Sequence, residues 1–383
     1  MQNLKHLFDL PNHITYLNTA TMSPLLKSTN LAGKKAIDKK SVPFTITSND
    51  FFSPLNLLKK QFAKLINTNE PERIAAIPSA SYGIATVANN IVLNAGDEIL
   101  IVEDQFPSNF YAWQRLVEKY NAKIITIAKP KGKKNRGKNW NIDILNSITE
   151  KTAVIAIGHI HWADGTLFNL KAISKKAKTK NALLIVDATQ SLGALPFSIK
   201  NIQPDAVICA GYKWLFGAYA YGLAYYGPYF DDGIPIEENW SNRVNSDNFA
   251  DLTNYQSEYK IQAARYNSGE NANFIAVAML QDSISNILEW TPEYIQLYCQ
   301  EISQHIIKPL TKLGCQIEDS EYRANHLFGI ELPNNIDLTT LKAQLEKHRI
   351  FVSIRGNYIR VSCHLFNTKE DFTILLQCLT SIL

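Results

Sequence analysis

Asp187 closes the apolar run Leu183-Leu-Ile-Val186, and Lys213 follows the run Ala206-Val-Ile-Cys-Ala210 after only Gly211 and Tyr212. Both runs read as buried strands of a parallel sheet. In open α/β sheets the carboxyl edge of the strands is where ligands bind. A lysine that can form a Schiff base, with an aspartate that can hold a pyridinium nitrogen, is the equipment of a pyridoxal phosphate site. Taken singly, Asp187 would be an ordinary strand-end cap and Lys213 a solvated lysine. Their common setting points to chemistry.

Two further stretches suit a phosphorylated, planar ligand. After an expected strand at 74–77 comes Pro78-Ser79-Ala80-Ser81-Tyr82-Gly83, followed by a helix. Small residues let backbone N–H groups approach a ligand, Ser81 adds a hydroxyl, and a helix start carries partial positive charge, so the turn can bind phosphate. The chain contains neither GxxxxGK[ST] nor GxGxxG, so neither a P-loop nor a dinucleotide fingerprint is present. Phe106 follows the next expected strand, 98–102, and is expected one sheet position from the phosphate turn. There it could stack on a planar ring, the alternative being a core aromatic.

These residues need a framework to hold them. Expected strands at 74–77, 98–102, 123–128, 153–157, 183–186, 206–209 and 222–226 alternate with helical stretches such as 82–93, 108–119 and 170–178. That pattern predicts a three-layer α/β/α large domain with a mostly parallel seven-stranded sheet. The last strand follows Lys213 after a short aromatic, glycine-rich turn, so it is expected to be antiparallel. Helices are expected at 24–39 and 51–65, and one long helix from 273 towards 310. Strands at 327–332, 350–354 and 358–361, with helices at 338–347 and 368–383, predict a smaller C-terminal α+β domain. The expected organisation is an N-terminal segment over 1–23 near the active site, a cofactor-binding domain over 24–270 and a small domain over 271–383.

With 46% hydrophobic and 19% charged residues among 383, the composition is that of a soluble globular protein. No apolar run approaches a bilayer span, and the start MQNLKHLFDLPNH is broken by charge and proline too early for a secretory signal. A cytoplasmic location, with no membrane partner, is expected. The five cysteines and eight histidines show no metal-ligand spacing, and the cysteines read as reduced thiols. A net charge of +4 is weak support for a polyanion partner. The basic stretch at 129–138 lacks interleaved aromatics and reads as a solvated loop, not a nucleic-acid surface.

In order and spacing the chain resembles the class V aminotransferase superfamily, fold type I pyridoxal phosphate enzymes that include cysteine desulfurases, kynureninases and isopenicillin N epimerase-like proteins. The resemblance runs through Tyr-Leu-Asn-Thr-Ala (16–20), Ser-Ala-Ser-Tyr-Gly (79–83), Gly-Asp-Glu-Ile-Leu (96–100) and Phe-Pro-Ser-Asn-Phe-Tyr-Ala-Trp (106–113). It continues through Val-Asp-Ala-Thr-Gln (186–190), Gly-Tyr-Lys (211–213) and Ile-Arg-Val-Ser-Cys-His-Leu-Phe-Asn-Thr (359–368). It implies that Lys213 carries pyridoxal 5'-phosphate and shuttles the substrate proton, that Asp187 partners the pyridine nitrogen and that Gln190 bonds the phenolic oxygen. Phe106 takes the ring-stacking position, held by His in cysteine desulfurases, and Ala80, Ser81 and Tyr212 fall on the phosphate side. Asn273, near the stretch where the partner subunit of a homodimer often reaches the phosphate, is a further cofactor ligand. Arg360 grips the substrate carboxylate, with Arg355 and Arg265 as weaker candidates. Trp162 stands where desulfurases place an Asn over the cofactor, and Asn18 and Ala20 join it on the substrate side.

The departures narrow the reaction. In cysteine desulfurases a mobile loop before the substrate arginine carries the cysteine that accepts sulfur. Here the interval 353–359 is too short and has no Cys, and Cys363 follows the arginine. The expected function is a pyridoxal phosphate-dependent aminotransferase of class V type acting on an amino acid. The alternatives are a C–S or C–C lyase or epimerase without a persulfide cysteine, and a catalytically silent homologue that binds cofactor.

Overall fold

The computed structural model describes residues 2–132, 135–333 and 336–383. The chain opens with β1 (Thr15–Tyr16), α1 (Lys27–Ser41) and α2 (Ser53–Leu65). Strands and helices then alternate: β2 (Ile74–Ile77), α3 (Ala80–Asn89), β3 (Glu98–Val102), α4 (Tyr111–Tyr120), β4 (Lys123–Ile127) and α5 (Arg136–Ser147). There follow β5 (Thr152–Gly158), α6 (Leu170–Lys178), β6 (Leu183–Asp187), α7 (Ile199–Ile202), β7 (Ala206–Ala210) and β8 (Gly222–Tyr226). The C-terminal part contributes α8 (Phe274–Trp290), α9 (Pro292–Lys312), β9 (Leu327–Glu331), α10 (Leu338–Lys347) and β10 (Ile350–Phe351). It ends with β11 (Ser353–Arg355), β12 (Tyr358–Ser362) and α11 (Lys369–Thr380).

The large sheet has seven strands in the order β2-β8-β7-β6-β5-β3-β4. Its pairs from β4 to β7 are parallel, while β8 runs antiparallel to both β7 and β2. Both faces are covered, as a parallel sheet requires. Ile99, Ile101, Ile185 and Ile208 pack with Ile84, Val87 and Trp113 on one side. Leu100, Val102, Val186 and Val207 pack with Trp140, Ile173 and Leu280 on the other. This alternation along each strand is the period of two that puts successive side chains on opposite faces. A three-stranded sheet, β11-β12-β9, forms the smaller unit.

Several expectations need correction. The sequence puts Phe106 one sheet position from the phosphate turn, but β8, β7, β6 and β5 separate β3 from β2. Strands later in the chain are inserted between them, and Phe106 and the turn share only the lining of one cavity. The long helix from 273 towards 310 is two helices. Thr291 has φ +65° and its side chain accepts from the Tyr294 amide, and Pro292 opens α9. Proline has no N–H to continue a preceding helix and is well placed at a helix start. α8 packs against α1 and α2. The C-terminal hydrophobic cluster takes Ile295, Cys299 and Ile302 from α9.

The stretch at 129–138 is not a solvated loop throughout, although Lys133 and Lys134 lie outside the described residues. Lys129 forms an ion pair with Asp164, donates to the Tyr358 hydroxyl at 3.0 Å and sits 4.2 Å from that ring's centroid. Arg136, in the first turn of α5, bonds Glu331 at 2.7 Å and lies 3.9 Å from Glu318. Burial of these cations is compensated by acids that lie far along the chain.

Candidate active site

The site forms where β6 and β7 end side by side, in the register Val186↔Val207 and Asp187↔Ile208. After β7 the chain turns back sharply: Gly211 N–H bonds the Tyr221 carbonyl and Gly217 N–H bonds the Gly211 carbonyl, both at 2.9 Å. That turn aims Lys213 into a cavity of about 310 Å³ at the sheet's carboxyl edge. The same cavity collects Ala80, Ser81, Phe106, Trp162, Asp187, Gln190 and Tyr212. Seven of the expected residues thus meet Lys213.

At one wall of the cavity, Ser79 caps α3, its hydroxyl accepting from the Tyr82 amide at 3.1 Å. The Ser81 hydroxyl lies 2.9 Å from that of Ser79. Two hydroxyls and the first amides of a helix therefore face the cavity, which suits an anion. The Lys213 amine sits 5.7 Å from the Phe106 ring centroid and 5.5 Å from that of Tyr212. Tyr212 packs on Tyr219, centroids 4.6 Å apart.

Burial lowers the Lys213 amine to about 8; Asp187 opposes that shift, and Arg360 and Arg355 add to it. A substantial fraction is therefore neutral, and so nucleophilic, near pH 8. Burial raises Asp187 above the ordinary carboxylate range, offset in part by Thr189, whose amide donates to Oδ1 at 3.0 Å, and by Lys213. Gln190 accepts from the Trp214 indole at 2.9 Å and donates to the Ala20 carbonyl at 3.1 Å. Its second amide hydrogen remains for a ligand.

Arg360 is 2% exposed. It donates to the Trp162 carbonyl at 2.8 Å, to the Thr21 hydroxyl at 2.7 Å and to the Ser353 hydroxyl at 3.3 Å. Burial first, and then the nearby Arg355 charge, lower it to about 10. Trp162 donates from its indole to the Asp104 carbonyl at 2.7 Å and meets the Phe106 ring edge-on at 5.4 Å. The loop that carries Trp162 is pressed onto β9. Gly165 has φ +79°, and a Cβ there would come within 2.6 Å of Phe328 Cα.

Other expected residues lie elsewhere. Asn18 accepts from the Ser353 hydroxyl at 2.8 Å, and the Ala20 amide bonds the Ser362 hydroxyl at 2.9 Å. Both tie the N-terminal segment to the small sheet and do not line the cavity; Thr21 is the member of that segment that reaches Arg360. Asn273 caps α8 through the Ala276 amide at 3.0 Å and lines a second pocket with Phe51 and Trp240. Arg265 bonds the Gly233 carbonyl at 3.1 Å, outside the cavity. Thr21, Ser353, Thr189 and Tyr219 were not anticipated. Thr21 falls in the segment 1–23 expected near the active site, Ser353 opens the interval 353–359, Thr189 lies inside the run 186–190 and Tyr219 in the aromatic turn after Lys213, but none of the four is singled out by its own residue type. All five cysteines are buried free thiols, and none lines the cavity.

Residues 47–375 match the aminotransferase class-V family. The chain belongs to the class V aminotransferases. Among relatives, an uncharacterized aminotransferase YcbU of Bacillus subtilis is 24% identical, over 82% of this chain and 80% of the relative. A probable cysteine desulfurase of Synechocystis is 24% identical, over 84% and 79%. In fold the chain is similar to the apo cysteine desulfurase of Thermococcus onnurineus, with TM-score 0.83 and 19% identity over 100% of this chain and 98% of that one.

A class V aminotransferase is a pyridoxal phosphate-dependent enzyme of amino acids, and the residues present fit that cofactor. A desolvated amine, an exposed aromatic face, a strand-end carboxyl and a helix start with two hydroxyls surround one cavity of ring size. Among the described residues, no helix is long and apolar enough to cross a membrane and no cluster suits a metal ion.

Proposed function

We propose that this class V enzyme is a cytoplasmic, homodimeric aminotransferase. The observation that carries the reading is the Lys213 amine, lowered to about 8 beside Phe106 and Asp187, in a cavity without a thiol. Bound pyridoxal phosphate supplies an aldehyde that condenses with amines and a ring that accepts the electron pair of a bond broken at Cα. In this reading Lys213 holds the cofactor and then takes and returns the α-proton, work suited to a group poised near operating pH. Asp187 holds the ring nitrogen protonated, Phe106 covers one ring face and Gln190 donates to the phenolic oxygen. The amide of Ala80 and the hydroxyls of Ser81 and Tyr212 hold the phosphate, and Asn273 comes to it from the partner subunit. Arg360 binds the α-carboxylate through paired N–H groups, for which its planar fork is suited. Trp162 walls the substrate side.

The dimer is supported by aromatic and aliphatic side chains left in the open around 228–270, with Tyr255 90%, Ile261 71% and Trp240 41% exposed. Clustered apolar exposure of this kind marks association surfaces. Buried free thiols accord with a reducing compartment.

The test has two arms. Borohydride reduction of purified protein loaded with cofactor, followed by mass mapping, is expected to place the label on Lys213. Incubation with single amino acids and a 2-oxo acid acceptor is expected to exchange amino and oxo groups without release of ammonia or sulfide. Label on another lysine removes the central assignment. Ammonia or sulfide release replaces transamination with lysis, and loss of stereochemistry alone replaces it with epimerisation.

A further inference from the structure

We propose that the amino acid substrate carries a second acidic group, held by Arg355 while Arg360 holds the α-carboxylate. The inference rests on the cofactor and substrate reading above and narrows it to dicarboxylic amino acids.

β11 and β12 form a hairpin in the register Ser353↔Arg360 and Arg355↔Tyr358. Alternation along each strand puts these four side chains on one face, with the two arginines as diagonal neighbours. That face meets the loop carrying Trp162. The Arg355 guanidinium lies 5.5 Å from the Trp162 ring centroid, while Arg360 bonds the carbonyl of the same residue. Trp162 in turn touches Phe106 and lines the Lys213 cavity; neither arginine lines it, but both charges act on the Lys213 amine from behind that ring.

Neither guanidinium is paired with a carboxylate among the described residues. Arg355 bonds only the Ile354 carbonyl, at 3.0 Å, and the partners of Arg360 are a carbonyl and two hydroxyls. Nε of each is buried without a hydrogen-bond partner. Asp164 is engaged by Lys129 and His161, and Glu331 by Arg136. Arg360 is buried and Arg355 half-buried; a buried charge without a counter-charge is costly, the more so beside one of like sign. A monocarboxylate relieves one of them. A dianion relieves both, each by the charge-assisted pairing that suits a guanidinium.

The experiment uses the holoenzyme and unreactive probes: glutarate and succinate against butyrate, with binding read by calorimetry, and kcat/KM for glutamate and aspartate against norvaline and alanine. The dicarboxylates are expected to bind at least tenfold more tightly, with kcat/KM biased the same way. Arg355→Gln is expected to collapse that ratio to within twofold, and Arg355→Lys to restore part of it. Arg360→Gln is expected to weaken both classes. Equal binding of the two classes by the wild type, which needs no folded variant, overturns the proposal, as does an Arg355→Gln effect that is the same on both. If Lys213 is labelled by borohydride but the preference is missing, only this inference fails. An unlabelled Lys213 removes the underlying reading instead.

Discussion

Lowering the pH from 7.5 to 5.5 should cost this protein several kcal/mol of stability, through three histidines behind Lys213. His364 is fully buried among Trp214, Phe216, Trp290 and Phe366, and neither ring nitrogen has a partner. His326 is held between the Gln296 side-chain amide at 2.7 Å and the Gln190 carbonyl at 2.9 Å. With Gln296 donating to Nδ1, the neutral Nε2–H tautomer satisfies both contacts, and a second proton would oppose the amide. His159 is buried against Phe197. Burial holds His364 and His159 at about 3 and His326 at about 4. Their folded values lie below the unfolded value of about 6.5, so the unfolded chain binds the protons first. Stability is therefore full above that value and is lost as pH falls towards the folded values. At pH 5.5 each histidine costs about 1.4 kcal/mol, or about 4 kcal/mol together. That is a large share of a typical stability of about 5–15 kcal/mol. Asp164, held well below the ordinary carboxylate range, adds its own loss only at lower pH. Urea denaturation at the two pH values measures the difference, and His364→Phe should remove about one third of it. The cage around His364 is aromatic and its nitrogens lack partners, so this variant forfeits no hydrogen bond. An unchanged pH dependence in His364→Phe would refute the argument.

Two shorter predictions concern the site. Asp187→Ala should keep the fold but weaken cofactor binding tenfold or more in an absorbance titration, because a charge-assisted hydrogen bond contributes roughly 1.5–3 kcal/mol. Cys363→Ser should retain most activity in the amino-acid assay. Its thiol is buried and 3.7 Å from the Asn325 carbonyl, and a thiol acts as a nucleophile only with access to the reacting atom. Persulfide on Cys363 during turnover would sink that expectation.

What the sequence revealed of the fold and site follows a physical line. Strand ends were legible because each buried strand is a short apolar run broken by a polar residue, so Asp187 and Lys213 stood out at the edge where ligands bind. The order of the strands was not, since a run such as Ile74–Ile77 carries no mark of which neighbour will be inserted beside it. Buried charge was the other blind spot. Lys129 and Arg136 read as solvated because their partners Asp164, Glu318 and Glu331 come from later elements. The resemblance implies Asn18 and Ala20 as substrate-side residues, but their bonding atoms hold that segment to Ser353 and Ser362.

The same limitation explains why Arg360 was legible but its surroundings were not. Its guanidinium bonds three stretches far apart in the chain: the Trp162 loop, Thr21 of the N-terminal segment and Ser353 of the small sheet. The N-terminal segment is itself fixed at both ends of this junction, by Gln190 on the Ala20 carbonyl and by Ser362 on the Ala20 amide. Gln190 is in turn anchored through its own carbonyl by His326, and its side chain accepts from Trp214, the residue after Lys213. Arg360 and Lys213 are thus connected through Thr21, Ala20, Gln190 and Trp214, partly by hydrogen bonds and partly along the backbone. The contacts that hold Arg360 therefore also bear on the position of Lys213. No single stretch of sequence contains that arrangement, because it exists only where the three pieces meet.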